Sequence, residues 1–170
     1  ALVQLEGTAY ESQARVALLA IYERSRDWPQ ALTITQKMQE AQQGDFSARQ
    51  AHFLCEQALA KAAQGDADGA RKQFIDAIQK APQAARARIE LARLLQRDGR
   101  SSEALEVLLE LADTAPAALP LAVPLLLEVS AATGESPAAY DLLQKRYAQA
   151  PSLDLLEGIV ALESTLNPSK

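Results

Sequence analysis

The sequence predicts an all-α fold built from repeated pairs of antiparallel helices. Three prolines recur at intervals of 34 and 35 residues: Pro82, Pro116 and Pro151. Inside the segments that these prolines close, Ala70, Ala104 and Ala139 keep the same two intervals. A period of this length is typical of a two-helix unit, which cannot bury its apolar stripe alone and does so by stacking on its neighbours. We therefore expect a core distributed along a stack of helices.

The spacing within each period indicates the class of repeat. A tetratricopeptide repeat is about 34 residues long, and its second helix carries Ala-x-x-x-Phe ahead of a proline. Ala70, Phe74 and Pro82 reproduce this order, and Ala104 and Pro116 follow one period later. We predict a tetratricopeptide repeat solenoid that winds into a right-handed superhelix. In it Ala70 and Ala104 let paired helices approach closely, and Phe74 fills the space beyond Ala70.

The repeats account for nearly the whole chain. Because the chain starts at Ala1 and its first residues resemble the tail of a helix, we expect a fragment in which residues 1–5 finish an earlier repeat. Four repeats and a terminal helix follow, at about 12–43, 46–82, 84–116, 119–151 and 152–166.

Turn residues predict where the helices begin and end. In the first repeat, Asp27 can cap the second helix and Pro29 suits its first turn, with Trp28 between them as a packing anchor. Gly44 is expected to give this helix a left-handed stop. The second repeat places its first helix at about 46–64 and its second helix at about 67–80.

The later repeats use the same devices. Gly65, Gly99 and Gly134 separate the paired helices of the second, third and fourth repeats. Pro120 and Pro124 are tolerable if they fall within the first turn or so of their helix. The apolar stretch 119–129 is either a docking face for a partner helix or a helix buried on both sides.

Composition excludes several classes of function. The net charge of -5 and the pI near 5.0 argue against a nucleic-acid or anionic-membrane surface as the principal role. A single cysteine excludes a disulfide within the chain and a cysteine zinc site. No uninterrupted apolar run reaches the roughly 18 residues that a membrane span needs.

Three stretches resemble a particular family. Residues 51–59, AHFLCEQAL, resemble the AHF-x-CE-x-AL helix in the cytosolic repeat domain of the lipopolysaccharide assembly protein B family. The IY at 21–22 and the DWPQA at 27–31 are similar to the IYQ…EWQKA of that family. The segment 85–93, ARARIELAR, is similar to SAR-x-x-I-x-x-x-R. The resemblance is best over residues 14–110.

The resemblance implies an adaptor on the cytoplasmic face of a Gram-negative inner membrane. It would promote degradation of the deacetylase that commits carbon to lipid A, by presenting it to a membrane-anchored AAA+ protease. The family also has an N-terminal membrane helix and a rubredoxin-like module that binds zinc or iron. Neither falls within these residues, so we expect no cofactor and no membrane span in this segment. A tetratricopeptide adaptor of another pathway, co-chaperone-like or otherwise, is the alternative.

The register of the repeat also predicts which side chains face a binding groove. In the second and third repeats these are His52, Cys55, Glu56, Leu59, Arg86, Ile89, Glu90, Arg93 and Arg97. Arg86, Arg93 and Arg97 lie on one helical face, and guanidinium groups bind the carboxylates of a partner well. The alternative is a solvated helix in which Glu90 pairs with Arg93 and Arg97.

His52 and Cys55, three residues apart, are the only side chains that suggest a metal site or a nucleophile. Two ligands are too few for a metal, and a Cys–His nucleophile also needs an oxyanion hole and an orienting group. We therefore predict neither catalysis nor metal binding, with Cys55 buried as a small hydrophobe and His52 at the edge of the groove.

Overall fold

The computed structural model describes residues 10–167, which form helices and short turns without a strand. Nine α-helices lie in this range, with the following bounds: α1 Glu11–Ser25, α2 Trp28–Glu40, α3 Ser47–Ala63, α4 Ala67–Lys80, α5 Ala85–Arg97, α6 Ser101–Thr114, α7 Leu119–Thr133, α8 Ser136–Gln149 and α9 Leu153–Leu166. A short 3₁₀ turn, Pro116–Ala118, precedes α7. The all-α prediction is confirmed. The helix end expected at residues 1–5 lies outside the described residues.

The chain divides into two compact units, residues 1–87 and 88–170. The first, called unit 1, contains α1 to α4 and the first turn of α5. The second, called unit 2, contains the remainder of α5 and α6 to α9.

In unit 1, each helix packs on the next one along the chain. One apolar cluster joins α1, α2 and α3 through Leu19, Ile34 and Phe53. Trp28 lies half-buried against this cluster, and its ring stacks on that of Phe53 with 5.8 Å between centroids. Helices α3 and α4 pack against each other, and Ala70 on α4 is fully buried.

In unit 2, α7 packs against α6, α8 and α9. Its inner side chains, Leu119, Leu126 and Val129, are fully buried, as is Ala104 on α6. The stretch 119–129 therefore packs one face into its own unit, but it is not buried on both sides, because Leu121 is 75% exposed. Whether the exposed face docks a partner helix stays a prediction. Pro124 lies inside α7, past its first turn, where it removes the hydrogen bond to the carbonyl of residue 120.

The segment Pro116–Thr133 is long enough and apolar enough to cross a membrane. In unit 2, 39% of this segment is buried, so its apolar character is explained in part by its packing in the core of a folded domain.

The end of α2 differs from the prediction. α2 ends at Glu40, and it is Gln42 that adopts the left-handed conformation, with a φ of 55°. The N–H of Gln43 donates to the carbonyl of Met38, which closes the helix two residues ahead of Gly44. The prediction that Gly44 stops α2 is wrong. The helix ends earlier, at the left-handed Gln42, where the backbone hydrogen bond from Gln43 to Met38 closes it.

The start of α4 depends on the carboxylate of Asp66, which accepts a hydrogen bond from the backbone N–H of Gly69 at 2.9 Å. This bond, followed by one from Lys61, lowers the pKa of Asp66 below its ordinary value of 3.8. A carboxyl with a lowered folded-state pKa stabilises the fold above the unfolded-state pKa, and that contribution is lost as the pH falls through the folded-state value.

We therefore expect the urea midpoint of unit 1 to fall as the pH drops from about 5 toward 2, and Asp66→Asn to flatten this dependence. Asp76→Asn, on the same helix, is the matched control. Identical pH profiles for Asp66→Asn and the unchanged chain would contradict the role given to the cap.

A second prediction concerns the buried alanines. Leucine at position 70 or 104 is expected to overpack the contact between paired helices and to lower the free energy of unfolding by about 1–3 kcal/mol. Ala60→Leu on α3 and Ala131→Leu on α7 are the controls, because both positions are exposed. Urea unfolding followed by circular dichroism measures the difference, and an unchanged midpoint at positions 70 and 104 would refute it.

Candidate functional site

An open groove of about 250 Å³ lies in unit 1, between α3 and the residues that lead into α5. We call it the α3 groove. Both walls are mainly alanine, with Ala48 and Ala51 on one side and Ala81, Ala84 and Ala85 on the other. Because alanine projects only a methyl group, the two walls leave room for the side chains of another molecule.

The polar rim of the groove joins two of the predicted residues. Arg86 Nη1 donates a hydrogen bond to Glu56 Oε1 at 2.6 Å. The pair bridges the first turn of α5 and the middle of α3, and the arginine side chain remains about half exposed. An exposed ion pair of this kind contributes only about 0–1 kcal/mol to stability, so a partner can replace it.

An aromatic group borders the other part of the groove. His52 is exposed and lines the groove, and its ring meets that of Trp28 edge-on with 5.6 Å between centroids. Trp28 in turn stacks on Phe53. Since Trp28 is the only tryptophan in the chain, its fluorescence reports on events in the groove.

Cys55 lies in the groove wall but is almost entirely buried. Its environment is that of a small apolar side chain. Among residues 10–167, no three His, Cys, Asp or Glu side chains come together as metal ligands do. The expectation that this segment binds no cofactor remains a prediction.

The other two predicted arginines belong to unit 2. Arg93 Nη1 donates to Glu90 Oε1 at 3.0 Å, which is the pairing that the solvated-helix alternative predicts. Arg97 is exposed at the last residue of α5. Arg86 pairs with a glutamate of unit 1, and Arg93 pairs with a glutamate of unit 2. That the three arginines together bind the carboxylates of a partner remains a prediction.

Two features escaped the sequence reasoning. Most of the groove is lined by alanines, and the four alanines within residues 81–87 were the available signal. Arg88 is 96% buried, whereas Arg86 and Arg93 on the same helix are exposed, and its Nε lies 4.0 Å from Glu110 Oε2. No local pattern distinguishes Arg88 from the exposed arginines beside it.

Comparisons with known proteins bear on the fold. Residues 61–128 match the family model described as tetratricopeptide repeat. No curated protein sequence matches the chain. The match covers the end of α3 through most of α7, and the helix pairs have the fold that this family model describes.

Several solved structures are similar to this chain in fold. A tetratricopeptide repeat protein from Parabacteroides merdae has a TM-score of 0.58 at 14% identity, covering 92% of this chain and 60% of its own. This chain therefore spans less than two thirds of that protein. PilF of Pseudomonas aeruginosa has a TM-score of 0.53 at 19% identity, covering 92% and 69%. YrrB, described as having an unusual peptide-binding site, has a TM-score of 0.50 at 16% identity, covering 92% and 77%. The predicted tetratricopeptide fold is confirmed.

Proposed function

We propose that this chain is a non-catalytic adaptor that holds a segment of another protein in the α3 groove. The observation that carries the proposal is the open alanine-lined groove with exposed His52 and Arg86 at its rim. Tetratricopeptide domains generally act as interaction modules, which supports the same conclusion.

The groove suits an extended segment with a small or aliphatic side chain and a nearby carboxylate. The side chain would enter between the alanine walls, where apolar burial is worth about 25 cal/mol per Å². The carboxylate would replace that of Glu56 on Arg86, in the bidentate geometry that guanidinium groups favour.

A peptide library displayed on phage tests the groove. Binders selected on the unchanged chain are expected to lose about tenfold or more in affinity for Ala48→Leu, which fills the groove from an exposed position. Ala60→Leu makes the same change on the exposed face of the same helix and is the control. Quenching of Trp28 fluorescence measures each affinity. If no peptide is enriched, or if both variants bind the selected peptides equally well, the α3 groove is not the binding site.

We propose more narrowly that the partner is the lipid A pathway deacetylase, presented to a membrane-anchored AAA+ protease at the cytoplasmic face of a Gram-negative inner membrane. The resemblance of residues 51–59 and 85–93 to the lipopolysaccharide assembly protein B family supports this choice. An adaptor that holds both proteins raises the effective concentration of one near the other. A tetratricopeptide adaptor of another pathway is the competing proposal.

Purified deacetylase tests the narrower proposal. We expect the triple change Arg86→Glu, Arg93→Glu and Arg97→Glu to abolish its binding while leaving helicity intact. A control chain with Arg24→Glu, Lys72→Glu and Lys145→Glu carries the same change of net charge at exposed positions. Deacetylase that binds neither the unchanged chain nor the control would favour the adaptor of another pathway.

A further inference from the structure

Unit 2 has a separate hollow on the side formed by its second helices. About 320 Å³ of space lies between α6 and the start of α8. Leu105 and Leu109 form its floor on one side and Ala138 its wall on the other. Leu109 is 40% exposed although the leucine beside it, Leu108, is fully buried. We call this place the α6–α8 hollow.

Two carboxylates stand at the rim of the α6–α8 hollow, Glu106 on α6 and Glu135 just before α8. Within residues 10–167 neither makes an ion pair, whereas Glu103 pairs with Arg100 and Asp113 with Arg146. The α6 sequence contains no Lys or Arg that could neutralise Glu106 from its own helix.

Helix stability accounts for only one of these two charges, because a carboxylate at the N-terminus of α8 interacts favourably with the helix dipole. Glu135 occupies the position that caps α8, yet its side chain makes no capping hydrogen bond. Glu106 is the sixth residue of α6, beyond the first turn in which a carboxylate interacts well with the helix dipole. An apolar floor with two unpaired carboxylates at its rim therefore has the features of a surface that receives a basic, amphipathic partner.

The spacing of the floor indicates the conformation of that partner. Leu105 and Leu109 are four residues apart on one helix, so their side chains lie about 6 Å from each other. An amphipathic helix presents its own apolar side chains at the same interval and can pack them against this pair. A helix also satisfies its backbone hydrogen bonds internally, so only its side chains need partners in the hollow.

We propose that the α6–α8 hollow docks a short amphipathic helix of another protein, with Leu or Met in the hollow and Lys or Arg facing Glu106 and Glu135. This surface is additional to the α3 groove, and the proposal does not depend on the groove. An adaptor needs two such surfaces, one for each protein that it brings together.

A defined peptide tests the proposal on the full chain. The probe is a fluorescein-labelled, alanine-based helix of about 16 residues with Leu at i and i+4 and two Lys on each side. One comparison probe carries Glu in place of Lys, and another carries Ser in place of Leu. We expect fluorescence anisotropy to show binding of the first probe in the range of about 10–100 μM at low salt, weakening as salt rises, and at least about tenfold weaker binding of both comparison probes.

Variants locate the binding site. Glu106→Lys with Glu135→Lys, and separately Leu109→Ser, are expected to weaken binding of the Lys probe about tenfold. Glu157→Lys with Glu163→Lys, and separately Leu121→Ser, are matched controls at exposed positions outside the hollow, and Ala48→Leu tests independence from the α3 groove. If Leu109→Ser fails to fold, Glu106→Gln with Glu135→Gln replaces it.

Three outcomes would overturn the proposal. The first is that the Lys probe fails to bind at concentrations up to about 1 mM. The second is that the Glu probe binds as tightly as the Lys probe, and the third is that the hollow variants bind the Lys probe as tightly as the controls do. Sedimentation velocity tests whether a second copy of this chain occupies the hollow instead. A dimer that Leu109→Ser dissociates would show that it does.

Discussion

Replacing Phe74 with alanine is expected to lower the free energy of unfolding of unit 1 by about 3–5 kcal/mol. Phe74 is 1% exposed and lies on α4 one turn beyond Ala70, and α4 packs against α3. Its removal loses the transfer free energy of the ring and leaves a cavity that closely packed helices cannot close. The loss is a large share of the total stability of a unit of this size.

The fluorescence of Trp28 in increasing urea measures this effect, because Trp28 packs on α3 through Phe53 in the same unit. Ile75→Ala is the control: Ile75 adjoins Phe74 but is 41% exposed, and its loss is expected to cost less than about 1 kcal/mol. A shift of the Phe74 variant no larger than that of the control would show that Phe74 does not carry the contact between α3 and α4.

Leucine at position 158 is expected to destabilise unit 2 by about 3 kcal/mol. Gly158 is buried on α9, and a Cβ placed there would lie 2.6 Å from Val123 Cγ1 and 2.8 Å from Leu143 Cδ1. Both neighbours are buried, so neither can move into solvent. Valine is also stiff at χ1. The intrinsic gain from removing a glycine from a helix is only about 0.5–1 kcal/mol and does not offset the overlap.

Ala161→Leu provides the comparison, because it adds a leucine to the exposed face of the same helix. Hydrogen exchange of the α7, α8 and α9 amides, read by mass spectrometry, follows unit 2 separately from unit 1. We expect faster exchange in all three helices for the Gly158 variant and unchanged exchange for the Ala161 variant. Equal protection in the two variants would mean that α9 does not approach α7 and α8 as closely as the structure has it.

Much of the helical framework could be read from local pattern. The second helix predicted at 67–80 has the bounds of α4, and the helix predicted from about Phe46 to Gln64 matches α3 to within one residue at each end. Asp66 and Asp27 cap their helices through the hydrogen bonds that their positions suggest. These features depend on residues within a few positions of one another, so the order of residues contains the information.

The candidate sites depend on distant residues. Arg86 meets Glu56 across 30 positions, and Trp28 meets His52 across 24. The register of the repeat predicted that His52, Glu56 and Arg86 belong to a groove. It did not predict that Glu56 and Arg86 bind each other, or that alanines form most of the walls.

Periodicity, turn residues and charge were therefore enough to establish helices in antiparallel pairs and a tetratricopeptide fold, because helix formation and the spacing of its apolar stripe are local properties of the chain. The ion pair at the α3 groove, the burial of Arg88 and the exposure of Leu109 beside buried Leu108 came only from the packed helices. Packing sets the rotation and offset of each helix against the next, and a shift of one residue would turn a different set of side chains outward.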